Sequence, residues 1–358
     1  MRTRLIWIVG ILAIFGLAML SSAGIVDAQK KFASAYYYFN HQLLLGLLPG
    51  VFLAYGLSKF KYKHFRKLSL LILFGALVLM TLVFVPQFGF GAKGAVRWLS
   101  IGGTTFQPAE ILKLALVIYF AAWFGGRHDR LKNWAYGAAP FFILLGFVAL
   151  LLALQPDIGT LIITGLIAIG MYFVAGIELK KFFAIIGLGV VALSLLIWVE
   201  PYRFQRLQTF LNPGQDLHGA SYQVNQAKIA IGAGGLFGVG FGQSTQKTGF
   251  LPEVVGDSIF AIVAEELGLV GAMALICLFV FLCLTLTQIA NATDDAFGRL
   301  LVSGMNIWIM SQAFVNMLAI SGLAPLTGIP LPFVSYGGTA LITLLAGLGI
   351  VLNVAKNK

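Results

Sequence analysis

Long apolar runs separated by short polar clusters dominate this chain, at 5–23, 42–58, 68–85, 108–124, 136–153, 159–176, 182–198, 258–287, 300–321 and 338–354. A helix that crosses a bilayer needs about 20 such residues. The pattern therefore predicts an all-α integral membrane protein of about ten transmembrane helices, with one multi-pass domain over 1–358 and no fixed-period repeat. The opening Met1-Arg2-Thr3-Arg4 and the apolar stretch after it have the outline of a signal peptide, and Ser22-Ala23-Gly24 offers small residues for cleavage. The run is longer than a signal core, which favours a retained first span.

Basic residues fall on alternate connections: Lys59, Lys61, Lys63, Arg66 and Lys67, then Arg127, Arg130 and Lys132, then Lys180 and Lys181, then Arg299. Arg2, Arg4, Lys356 and Lys358 flank the ends. The positive-inside rule then puts both termini in the cytoplasm. The other side receives 86–107, a large extracytoplasmic loop at 199–257 between helices 7 and 8, and the Gly/Pro-rich 322–337. Inner connections are short, so function is expected on the outer face of the cell membrane.

Composition agrees with the pattern. Of 358 residues, 59% are hydrophobic and 10% charged, against roughly a quarter charged in a soluble domain. A soluble enzyme, a disordered chain and a nucleic-acid-binding module are excluded, and the net charge of +11 belongs to cytoplasmic anchoring. Cys277 and Cys283 lie in one apolar run on different helix faces and form no disulfide framework. The four histidines, His41, His64, His128 and His218, have no metal-ligand spacing and favour neither a metal site nor a Ser-His-Asp triad.

Charges at membrane depth each need a reason. Glu110, Asp157 and Asp257 all begin helices that return from the outer face. Each reads as a helix cap, helped by Pro108 and Pro156, or as a substrate-facing acid. Glu110 and Lys113, three apart, can pair. Glu265 and Glu266 lie two turns below Asp257, and at least one of them should face a cavity or meet a cation such as Lys113 or Arg97. They also allow a proton or ion pathway, and with it a transporter. The stretch 232–249 is dense in glycine but lacks G-x-G-x-x-G, and Gln246-Lys247-Thr248 lacks the glycine of a phosphate loop. Close backbone approach and mobility around a bulky substrate is the preferred reading, anion cradling the alternative.

One block reads Asn212-Pro213, Asp216, Gly219, Tyr222-Gln223, Gln226, Gly232, Gly240, Gly242, Lys247, Pro252-Glu253, Asp257, Ile259-Phe260-Ala261 and Glu265-Glu266. Further pieces are Arg97-Trp98-Leu99, Gln107-Pro108, Gln155-Pro156-Asp157, Asn316 and the run from Gly328 to Gly338. Together they resemble the SEDS family (shape, elongation, division and sporulation) of membrane glycosyltransferases that polymerise peptidoglycan. The short termini look more like the family's elongation member than its division member. The chain departs from the usual pattern at Val255-Gly256 and Ser258, where many relatives carry His-Thr and Phe, which questions local packing more than chemistry.

The resemblance implies an inverting transfer on the outer leaflet: an acceptor sugar hydroxyl attacks the anomeric carbon of lipid II, and polyprenyl pyrophosphate leaves. One in-line displacement requires no carboxylate nucleophile. Asp257 matches the family's essential aspartate, as base or as ligand of a divalent cation such as magnesium or manganese. Lys113, Lys228, Lys247, Arg97, Arg203 and Arg206 are candidates to stabilise the pyrophosphate, with Glu110, Asp157 and Glu253 also in the binding region. The implied partner is a class B penicillin-binding transpeptidase with a single membrane helix. A lipid II flippase using Glu265, Glu266 and Asp157 as in-membrane polar steps is the competing function; the clustering of family residues on one outer face favours the enzyme, since a transporter should place recognition groups near the midplane. A pure scaffold fits poorly with so many polar groups around one loop.

Overall fold

A computed structural model describes residues 1–92, 95–126, 139–176 and 220–356, with isolated positions between 183 and 211. The order is α1 (Arg2–Ala23), α2 (Ile25–Phe32), α3 (Tyr37–Lys59), α4 (Lys63–Leu82), β1 (Gly89–Ala92), β2 (Ala95–Ile101), β3 (Thr104–Phe106), α5 (Pro108–Gly125), α6 (Ala139–Leu154), α7 (Ile158–Val174), α8 (Ala220–Gly234), α9 (Ile259–Asn291), α10 (Ala296–Ile320) and α11 (Gly338–Val354). Among the described residues α1, α3, α4, α5, α9 and α10 are long and apolar enough to cross a membrane, and α6, α7 and α11 are shorter apolar helices. Every predicted run except the seventh, 182–198, coincides with one of these helices. The seventh lies mostly outside the described residues, as do Arg127, Arg130, Lys132, Lys180, Lys181 and Lys358.

The helix starts follow from local chemistry. Pro108 opens α5 where its missing N–H costs nothing. Asp157 caps α7 through the Thr160 amide, and Asp295 caps α10 through the Gly298 amide. The centre of the bundle is α5 and α10, surrounded by α4, α7, α9 and α11. Leu112, Val117 and Phe120 of α5 and Met305, Trp308 and Ile309 of α10 are fully enclosed. Much of α3, α4 and the later part of α9 is exposed and apolar: Phe52, Phe74 and Phe281 point outward. Lipid-facing helices have no other way to satisfy their surroundings.

Two differences from the sequence expectation stand out. The 86–107 connection is a three-stranded antiparallel sheet in the order β1-β2-β3, so the fold is not purely α. Ile101 pairs with Thr104 across Gly102-Gly103, both at positive φ, a two-residue hairpin turn that glycine accommodates without strain. Within 199–257, Ala220–Gly234 is a helix, α8, packed on α9.

Contacts between helix ends define two faces. On one, Arg4 donates to Gln288, the Tyr62 amide donates to Asn353, and Tyr62 stacks on Phe297. The start of α1, the lysine-bearing α3–α4 turn and the ends of α9 and α11 therefore lie together. On the other, Ser22 at the end of α1 bonds Glu266 near the start of α9, and Gln42 of α3 accepts from the Gly337 amide. Asp257 belongs to this second face.

Candidate active site

Asp257 sits just before α9, half-buried, and Gln223 of α8 donates to its Oδ1 at 2.9 Å. The same amide nitrogen lies 2.9 Å from Ser258 Oγ, which donates onward to the Pro252 carbonyl. Asn316 of α10 donates through Nδ2 to the Asp257 carbonyl at 2.8 Å and to the Ile329 carbonyl at 2.7 Å. Oδ2 faces Gly328, whose φ is +72°; a Cβ there would stand 3.8 Å from it.

The 328–337 segment forms a strap beside this acid. Ser335 Oγ donates to the Gly256 carbonyl at 2.6 Å and accepts from the Leu331 amide at 2.8 Å, while the Tyr336 amide donates to the Val255 carbonyl at 2.8 Å. The departures at Val255 and Gly256 leave these contacts intact: the strap reads their carbonyls, which every residue has. Ser258 adds a side-chain contact of its own to Gln223. Burial, then the charge of Tyr37, pushes the Tyr336 phenol well above its ordinary pKa, so it stays neutral beside His41 Nδ1 at 3.0 Å.

Glu110 and Lys113 form the expected pair, 2.8 Å apart, and both are almost wholly enclosed. Lys113 also donates to Gln312 Oε1 at 2.8 Å and lies 5.1 Å from the Trp308 ring. Gln312 Nε2 donates to the Pro330 carbonyl. This ion pair thus reaches the strap through one turn of α10, while its ammonium and carboxylate remain inside the bundle.

Glu265 and Glu266 meet neither Lys113 nor Arg97. Lys247 Nζ lies 2.7 Å from Glu266 Oε1 and 2.8 Å from Ser22 Oγ. Glu265 accepts from the Thr245 amide at 2.9 Å, from Gln246, and from Ser244 Oγ in a very short bond. Both carboxylates are therefore tied into the 244–247 turn. The preceding glycines make a hook around α9. Val239 and Gly240 donate to the Glu265 and Glu266 carbonyls, and Leu269 and Val270 donate to Gly235 and Leu236. Gly268 breaks α9 at φ +68°, ψ −168°, a conformation open essentially to glycine alone. A Cβ at Gly234 would collide with the Ala264 carbonyl. Close approach is what these glycines provide.

The remaining candidates separate clearly. Arg97 donates to the carbonyls of Gln155 and Pro156, fixing the α6–α7 corner. Asp157 accepts from the Thr160 amide, Thr160 Oγ1 and Gln107 Nε2, so it is a cap in a polar knot. Lys228 lies exposed over Gly322, and Glu253 is exposed at φ +53° in the turn before Asp257. Arg203 and Arg206 lie outside the described residues. Among the described residues no three His, Cys, Asp or Glu side chains cluster as a metal site.

Sequence reasoning did not assign Gln223, Gln312, Asn316 or Ser335. Their signal was present as polar residues inside apolar helices and in a Gly/Pro-rich turn, where a buried amide or hydroxyl needs a partner.

The fold and this acid-centred face define a multi-pass helical membrane protein with a held, half-buried carboxylate, Asp257, at the mouth of α9. The chain belongs to the cell cycle protein family of FtsW, RodA and SpoVE, whose model matches residues 3–358. It is 39% identical over 350 residues to "Probable peptidoglycan glycosyltransferase FtsW" of Geobacter sp. (strain M18), covering 96% of this chain and 94% of that one. The protein of the same name from Alcanivorax borkumensis is 39% identical over 97% of this chain and 91% of its own length. A solved structure described as structural coordination of polymerization and crosslinking by a peptidoglycan synthase complex matches with a TM-score of 0.81 at 29% identity, covering 99% of this chain and 97% of that one. The crystal structure of Thermus thermophilus rod shape determining protein RodA matches with a TM-score of 0.72 at 28% identity over 99% of this chain and 96% of its own.

Proposed function

We propose that this protein is a peptidoglycan glycosyltransferase that joins lipid II units into glycan strands at the outer face of the cytoplasmic membrane. The observation that carries the reading is the held, half-buried carboxylate of Asp257 on the face opposite the lysine-bearing ends. The acceptor hydroxyl oxygen forms a bond to the donor's anomeric carbon, the bond from that carbon to pyrophosphate breaks, and the hydroxyl proton passes to Asp257. Gln223 holds Oδ1, and Oδ2 stands on the Gly328 side of the carboxylate.

A divalent cation fits only as a shared guest. Asp257 would supply one carboxylate, and pyrophosphate oxygens and water would supply the rest. Such an ion would offset charge on the leaving pyrophosphate. Lys113 and Lys247 are held inside, so direct contact with the leaving group falls to exposed cations such as Lys228, with Arg203 and Arg206 as further candidates.

Purified protein in detergent, given labelled lipid II, should make polymer, and Asp257→Asn should make none while remaining folded. Wild-type polymerisation by Asp257→Asn ends this reading. A flippase would instead need sealed vesicles and would form no new bond. Cysteine labelling from either side of the membrane tests the placement of both termini in the cytoplasm.

A class B penicillin-binding transpeptidase is the partner we propose, supported by the likeness to a polymerising and crosslinking complex. For the branch, the resemblance to the elongation member stands against relatives that are FtsW proteins, the two named above being matched over 94% and 91% of their own lengths. Their identity favours division. Filaments on depletion would support that branch; rounded cells would assign the protein to elongation.

A further inference from the structure

We propose that Asn316 is a positioning residue that sets the direction of the Asp257 carboxylate, an inference that rests on Asp257 being the base. A peptide unit is planar, so fixing its carbonyl fixes the whole plane. The plane before the Asp257 Cα is held by Ser335 on the Gly256 carbonyl, and the plane after it by Asn316 on the Asp257 carbonyl. With both planes set, φ and ψ of Asp257 are set, and with them the direction of its Cβ. Gln223 on Oδ1 then fixes the side-chain torsions.

Asn316 is built for this use. It is 1% exposed, and its Nδ2 joins two carbonyls from different parts of the chain, Asp257 and Ile329. Its Oδ1 is buried and meets no donor among the described residues. Catalysis is sensitive to small misplacement of the reacting group. Loss of Asn316 should therefore appear in turnover more than in binding.

Gln42 of α3 provides the control. It anchors the same strap by accepting from the Gly337 amide but does not touch Asp257. Steady-state polymerisation of lipid II by folded, monodisperse protein should show Asn316→Ala with kcat down at least about tenfold and KM changed by less than about threefold. Asn316→Asp keeps the shape and loses both donors, so it should show the same split even if the alanine variant folds poorly. Gln42→Ala should keep kcat within about threefold. Wild-type kcat in Asn316→Asp, or an equal fall in Gln42→Ala, overturns the positioning role, the latter by showing that the strap alone matters. If Asp257→Asn is inactive while the Asn316 variants are not, only this inference falls; if Asp257→Asn is fully active, the base assignment falls and takes this inference with it.

Discussion

Lys247 and Glu266 form an ion pair 2.7 Å long in which both side chains are enclosed and Ser22 bonds each of them. It ties α1, α9 and the 244–247 turn together at a depth where neither charge could stand alone.

Removing one partner of a buried pair leaves the other uncompensated, which costs about 3–5 kcal/mol. Lys247→Ala should lower the thermal midpoint in detergent strongly, and Lys247→Met combined with Glu266→Gln should recover part of the loss. Equal melting of Lys247→Ala and wild type would show that the pair contributes nothing.

Glu110 and Lys113 should be coupled in the same way. In a double-mutant cycle, Glu110→Gln with Lys113→Met should lose less activity and stability than the two single changes added together. Strict additivity would remove the pair as a working unit.

Asp157 makes the contacts of a cap. Asp157→Ala should cost about 0.5–2 kcal/mol of stability, and Asp157→Asn, which still accepts from the Thr160 amide, should keep most of the stability and the activity. Loss of polymerisation in a stable Asp157→Asn would instead give the carboxylate a role with substrate.

The hook around α9 requires its glycines. Gly234→Ala places a methyl against the Ala264 carbonyl and should destabilise by about 1–3 kcal/mol, whereas Gly232→Ala, with open space at its Cβ position, should be close to neutral. Thermal melts of the two variants side by side provide the check.

Chelation should reduce polymerisation without changing the melting temperature, and magnesium or manganese should restore the rate. Undiminished activity in excess chelator would leave Asp257 as base alone.

The apolar runs made the bundle legible because a lipid-facing helix has to be apolar along its length. The sheet at 89–106 leaves no trace among the apolar runs because its strands are only 4, 7 and 3 residues long, and Gly102-Gly103 alone carries a hairpin signal. Asp257 could be singled out as a polar residue at a helix mouth. Its partners could not: that Gln223, Asn316 and Ser335 converge on it depends on how α8, α10 and the strap pack. The pairing of Glu110 with Lys113 was readable because both stand on one helical face, whereas Lys247 reaches Glu266 only through the hook, whose path local spacing does not reveal.

Asp257 receives its orientation from residues far downstream, with Asn316 separated from it by 59 positions and Ser335 from Gly256 by 79. A ribosome delivers the acid long before it delivers either partner. Through most of its synthesis and insertion the nascent chain therefore carries the carboxylate without the two peptide planes that aim it, and the site matures only as the last helix, α11, is being made.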